Sequence, residues 1–156
     1  MVAASAVLVI VTTRSKILLG PQNSQRLLMI DHTGINVKDL ALSKKFYESV
    51  LATIGYEVRI EVDNAVGFGS TGSRHGDDPG GDFWIAEGDP SLPRNHIAFR
   101  AASVAQVVAF YKAALAAGAR DNGAPGLRPH FHTSYYATFV LDPDEYNIEA
   151  VFHCGS

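Results

Sequence analysis

A set of landmarks in this chain returns after 64 positions, and that repeat restricts the fold more than any other feature of the sequence. With that shift His32 falls on His96, Asp39 on Ser103, Phe46 on Phe110, Tyr47 on Tyr111 and Leu51 on Leu115. Self-similarity at a fixed period means one supersecondary unit used twice. The physical roles match as well as the letters. Asp39 and Ser103 are both good helix N-caps, whose side-chain oxygens accept from the free amides of a first turn, and Ser103 with Gln106 reads as a capping box. Behind the first cap, Leu42, Phe46, Val50, Leu51 and Ile54 form an apolar stripe that ends near Gly55. Behind the second, Val107, Phe110, Tyr111, Ala114 and Leu115 form another that ends at Gly118. Each stripe has the spacing of a surface helix laid on a sheet, with glycine supplying the left-handed exit.

Strand-like segments flank both helices. Residues 28–37 precede the first helix and 95–101 the second. Residues 56–62, 66–69 and 82–86 complete the first half; 135–141, 146–152 and a looser run over 120–132 complete the second. A polar, glycine-rich loop with His75 lies between Gly67 and Gly81, and the turn 142–145 joins the last two strands. The expected class is therefore α+β, with two βαβββ modules at about 29–88 and 94–153. They are linked around 88–93 in a single domain over 29–153. A half-sheet of this kind is open on one face, so two must pair to enclose a core.

The 156 residues suffice for one domain with a real core and are too few for two ordinary ones. A net charge of −3 gives no basic surface for phosphates, so nucleic acid is not an expected partner. Residues 1–28 read as an amino-terminal extension. Their apolar run over 6–11 is far shorter than the ~20 residues a membrane span needs. Arg14, Lys16 and Arg26 follow that run rather than precede it, unlike a secretory signal. The absence of acids before Asp31 also fits a mitochondrial presequence, but a variable extension on a cytoplasmic protein is the favoured expectation. The single cysteine, Cys154, excludes an intramolecular disulfide.

The repeat also selects candidate site residues. Glu149 in the last strand maps back by 64 to Ile85, so the symmetry-related positions are His32, Ile85, His96 and Glu149. Three of these are metal-ligand types, and two histidines with one carboxylate can hold a divalent ion with positions open to substrate. Alternation puts Glu149 on the opposite face from Ile148 and Ala150, where a buried carboxylate needs a cation or hydrogen-bond partner. A second constellation runs from Arg128 through His130 and His132 to Tyr135 and Tyr136. In an extended segment His130 and His132 share a face, where with Tyr135 they could move protons. Arg128 would suit an acidic substrate group, with Trp84 and Tyr136 as further substrate contacts.

The segments MIDHTGINVKDLALSKKFYESVLATIGYEV, DFWIAEG, NHIAFRA and FVLDPDEYNIEAVFH resemble the vicinal-oxygen-chelate superfamily of glyoxalases, bleomycin resistance proteins and extradiol dioxygenases, over residues 29–153. The resemblance implies a half-barrel of paired βαβββ modules around a central cleft. It also implies one divalent ion (Fe, Zn, Ni or Mn) on His32, His96 and Glu149, with chelation of a small oxygenated substrate. Glyoxalase I enzymes carry a fourth ligand, normally Glu, where Ile85 falls by this alignment, so that activity is not expected. The His-His-Glu set is similar to that of the Fe(II) ring-cleaving dioxygenases, though the chain is short for one. The expectation is a metal-dependent isomerase, lyase or dioxygenase, assembled as a homodimer. The alternative is a metal-free protein that sequesters a small molecule.

Overall fold

The computed structural model describes residues 30–72 and 78–155. The extension 1–28, the start of the expected first strand and His75 lie outside the described residues. The elements run in the order β1 (Thr33–Val37), α1 (Leu40–Leu51), β2 (Tyr56–Val62), β3 (Ala65–Ser70), β4 (Phe83–Glu87), β5 (His96–Arg100), α2 (Val104–Ala116), β6 (Arg120–Leu127), β7 (Tyr135–Leu141) and β8 (Asn147–His153). A short 3-10 turn, Ala52–Ile54, extends α1. The two halves carry the same topology. One four-stranded sheet has the order β1-β4-β3-β2 and the other β5-β8-β7-β6, each with one parallel pair and the rest antiparallel.

Both helices start and stop where their caps dictate. Asp39 accepts from the Leu42 amide at 2.9 Å and Ser103 from the Gln106 amide at 3.2 Å. Gln106 reaches back to the Ala102 amide at 2.6 Å, one residue before the N-cap amide of a standard capping box. Gly55 (φ 86°) and Gly118 (φ 97°) take the left-handed exits that L side chains avoid. The stripes differ from the expected ones at their edges. Ser43, Phe46, Tyr47, Val50 and Leu51 make the buried face of α1, while Leu42 is exposed. On α2 the buried face is Val107, Phe110 and Ala114, and Leu115 is exposed.

One apolar cluster joins the halves. It takes Ile35, Val37, Phe68, Phe83 and Ile85 from the first sheet, Phe99, Val140, Ile148 and Ala150 from the second, and residues of both helices. Phe83 and Phe99 meet edge to face across the modules at 5.1 Å. Polar contacts cross as well. Tyr47 Oη donates to Asp142 at 2.6 Å, the Lys38 amide to Asp144 at 3.1 Å, and Tyr146 Oη to the Asn36 carbonyl at 2.8 Å. The faces that meet are those carrying Ile35 and Ile148. The opposite faces, with His32 and His96, point elsewhere and leave both histidines exposed.

Candidate metal centre

β5 and β8 run parallel, with Ala98 opposite Glu149. That register, with strand alternation, puts His96, Ala98 and Glu149 on the face turned away from the shared core. Despite its position on that face, Glu149 is 2% exposed. A carboxylate so buried must be satisfied locally, and both of its oxygens have partners. Tyr135 Oη donates to Oε1 at 2.6 Å, and His96 Nε2 lies 2.9 Å from Oε2.

The histidine contact carries a chemical constraint. His96 Nδ1 is 3.1 Å from the Asn147 carbonyl oxygen and Nε2 is 2.9 Å from a carboxylate oxygen, and both partners can only accept. A neutral ring has one N–H and satisfies only one of the two contacts, so meeting both takes a second cation on the ring, at Nε2 if the proton is on Nδ1. A proton can serve; so can a metal ion. Metal–nitrogen and metal–oxygen bonds of about 2.1 Å at a right angle place their ligand atoms about 3 Å apart, close to the spacing found. The donor set would suit a divalent ion, which His96 Nε2 and Glu149 Oε2 would hold together. Phe139, 6.1 Å from the His96 ring, walls the pair, and the Arg128 guanidinium lies over Phe139 at 5.6 Å.

His32 lies apart from this pair. Its Nδ1 meets Asp31 Oδ1 at 2.8 Å and Asp78 Oδ2 at 4.0 Å. Among the described residues, Asp31, His32 and Asp78 are the only three such side chains with ligand atoms close enough to share an ion, so His32 does not join His96 and Glu149 within the chain. The Asp31 hydrogen bond, opposed by desolvation, raises the His32 pKa above its ordinary value, and the charges of Asp31 and Asp78 add to it.

The expectation for Ile85 is corrected by the strand register. Gly34, the counterpart of Ala98, pairs with Trp84, so Trp84 and not Ile85 occupies the position equivalent to Glu149. The second module has one residue more between β5 and β8 than the first has between β1 and β4, which accounts for the slip, and a slip of one turns a strand residue to the other face. Ile85 is fully buried in the core. The Trp84 indole packs over Gly67 and Gly80, where an added Cβ would come within 2.9 Å and 2.6 Å of its ring. Its Nε1 donates to the Gly81 carbonyl at 3.0 Å.

The second constellation is partly assembled. Residues 128–134 form turns rather than an extended segment, so His130 and His132 do not share a strand face. His130 packs on Phe131 at 4.4 Å. The Ser134 amide donates to His132 Nδ1 at 3.2 Å, so in the neutral ring Nε2 carries the proton and donates to His153 Nδ1 at 3.0 Å. Both rings lie edge-on to Tyr135, at 5.2 Å each. Tyr135 thus links the histidine pair to Glu149. Burial first, then the Glu149 hydrogen bond and charge, push its phenol up to about 12. Tyr136 pairs with Phe152 on the opposite face from Glu149. Arg128 is engaged at home: Nη2 donates to the Ala124 carbonyl at 2.6 Å. Sequence reasoning missed Phe139 and the Asn147 carbonyl, which no residue type signals, and His153, for which strand parity with Glu149 is the available signal.

A family model described as the Glyoxalase/Bleomycin resistance protein/Dioxygenase superfamily matches residues 29–150. No curated protein matches the chain. Among solved structures, a glyoxalase/bleomycin resistance protein from Albidiferax ferrireducens T118 is similar at 29% identity and a TM-score of 0.66, covering 80% of this chain and 98% of that one. A fosfomycin resistance protein, FosX, from Listeria monocytogenes, complexed with Mn(II) and 1S,2S-dihydroxypropylphosphonic acid, is similar at 22% identity and a TM-score of 0.58 (81% and 90% covered). A lactoylglutathione lyase from Agrobacterium tumefaciens is similar at 15% identity and a TM-score of 0.55 (78% and 91% covered). Matches below 25% identity speak for the fold alone.

Proposed function

Because the chain belongs to the glyoxalase/bleomycin resistance protein/dioxygenase superfamily, we propose that it is a divalent-metal-dependent enzyme acting on a small oxygenated organic molecule. His96, Glu149 and His32 are its metal ligands in this reading. The observation that carries it is that both ring nitrogens of His96 face acceptors, Nε2 the Glu149 carboxylate at 2.9 Å and Nδ1 a carbonyl at 3.1 Å, so that a metal ion between Nε2 and Oε2 would satisfy both contacts of a neutral ring. When bound there, a divalent ion supplies Lewis acidity toward substrate oxygens.

The chain's own residues perform the rest. Tyr135 keeps its proton at neutral pH and, by donating to Oε1, fixes the carboxylate with Oε2 toward His96. The His132–His153 pair stands in ring contact with Tyr135 and, hydrogen-bonded ring to ring at an exposed position, can pass a proton to solvent, since an imidazole offers a donor and an acceptor nitrogen. Trp84 stands at the register position equivalent to Glu149 and offers no carboxylate, so proton transfer through a fourth carboxylate ligand has no residue to perform it there. FosX was solved with Mn(II) and a vicinal diol. That precedent makes chelation of two neighbouring oxygens the first chemistry to assay, with ring cleavage second.

His32 reaches the pair through a second copy of the chain. The support is that His32 and His96 both lie on exposed sheet faces away from the shared core, the faces a homodimer would cover. The separation of His32 from the pair within one chain also favours a second reading, metal-free binding of a small molecule. Metal content after reconstitution with Fe(II), Zn(II), Ni(II) and Mn(II), beside His96→Ala and Glu149→Gln, decides between the two. The enzyme reading expects about one ion per chain, as for a three-ligand site, lost in both variants. A parent that stays empty overturns it in favour of binding alone.

A further inference from the structure

We infer that Asp31 is a positioning residue: it holds the His32 imidazole with the proton on Nδ1, so that Nε2 is the atom presented to a metal. The inference rests on the reading of His32 as a ligand. A carboxylate accepts and does not donate, so the 2.8 Å contact between Asp31 Oδ1 and His32 Nδ1 places the proton on Nδ1. Nε2 of the neutral ring then carries the lone pair. Asp78 reinforces this arrangement. Its Oδ2 lies 4.0 Å from the same Nδ1, and the Gly80 amide, donating to its Oδ1 at 2.8 Å, holds the side chain in place.

The repeat supplies the independent check. His96 stands at the matching strand start in the other module, and its Nδ1 is also tied to an acceptor, the Asn147 carbonyl at 3.1 Å. The two acceptors share no ancestry in sequence position: one is the side chain just before the histidine, the other a main-chain oxygen 51 residues on. A site built from two Nε2 ligands requires an acceptor on Nδ1 of each, and both repeated histidines have one, by different devices. A partner on the far ring nitrogen orients a ligating imidazole and raises its basicity, and its loss typically costs 10–100-fold in metal affinity.

The test is the Mn(II) dissociation constant and stoichiometry of the full chain, read from the paramagnetic resonance signal of free Mn(II). It is measured for the parent, Asp31→Ala, Asp31→Asn, His32→Ala and Glu149→Gln, with thermal melting of each. Asp31→Ala is expected to weaken binding about 10–100-fold with an unchanged melting temperature, since Asp31 is exposed. Asp31→Asn keeps an acceptor for Nδ1 and is expected to recover most of the affinity, which a role in general surface charge would not restore. Parent-like binding in Asp31→Ala, or in His32→Ala while Glu149→Gln is empty, overturns the inference and leaves the metal reading standing. A second ion per chain that survives Glu149→Gln but not Asp31→Ala also overturns it, because Nδ1 would then be a ligand in a site with Asp31 and Asp78. A parent with no Mn(II) bound, and none of the other three metals on reconstitution, is the separate failure of the functional reading.

Discussion

Tyr47→Phe removes one oxygen from the junction between the modules. Tyr47 is fully buried, and its Oη donates at 2.6 Å to Oδ2 of Asp142, itself 4% exposed. Asp142 Oδ1 is already used by the Asp144 and Tyr146 amides, at 2.9 and 2.8 Å, so the lost bond leaves Oδ2 buried without that donor. A hydrogen bond to a charged group is worth about 1.5–3 kcal/mol, and phenylalanine fills the same ring space, so that range is the expected cost. For a chain of this size it corresponds to a fall in Tm of roughly 3–12 °C. The cost should depend on pH, and the sign is fixed. Burial holds the Asp142 carboxyl above its ordinary value, against the opposing hydrogen bonds from Tyr47 and the two amides. A carboxyl whose folded pKa is raised contributes stability that is fully present below its unfolded pKa and lost as pH rises through the folded one. Removing the Tyr47 donor raises the folded value further. The penalty is therefore largest near neutral pH and shrinks in the acid range around pH 4. Urea unfolding of parent and variant at both pH values, with matched m-values, measures it. A neutral-pH penalty below about 0.5 kcal/mol, or one equal at both pH values, would refute the reasoning.

Two further outcomes follow from packing. Ser43→Ala removes a buried hydroxyl that has no hydrogen-bond partner among the described residues and improves helix propensity. It should stabilise the protein by about 0.5–1.5 kcal/mol in the same urea assay; a loss of stability would show that the hydroxyl has a partner. Gly67→Ala places a Cβ 2.1 Å from the Gly80 carbonyl oxygen and 2.9 Å from the Trp84 ring. The loop over β3 must shift, at a cost of about 1–3 kcal/mol, and Trp84 fluorescence should change with it. An unaltered emission spectrum and unaltered stability would count against that packing.

The repeat, the caps and the glycine exits are written locally, and the sequence by itself determined them. A cap needs only an acceptor a few residues from the free amides, and a stripe needs only its period, so Asp39, Ser103, Gly55 and Gly118 name the helix ends without tertiary information. Both βαβββ modules follow from the same signals, and residues 56–62 and 135–141 form the strands expected of them. Strand pairing lies beyond such reasoning. A constant shift of 64 put Ile85 opposite Glu149 in the repeat, and only the pairing of Gly34 with Trp84 shows that the equivalent residue is one earlier. Since side chains alternate, that single step separates the core from the open face. The shared face of His130 and His132 was lost for a related reason: it exists only if the chain is extended, and residues 128–134 turn instead. Tertiary structure alone decided that Glu149 would be buried against Tyr135 and His96, that His132 would meet His153, and that His32 would stand apart with Asp31 and Asp78. Residue type and period state what each side chain can do; which side chains meet is set by the register of long-range strand pairs and the packing of one module on the other.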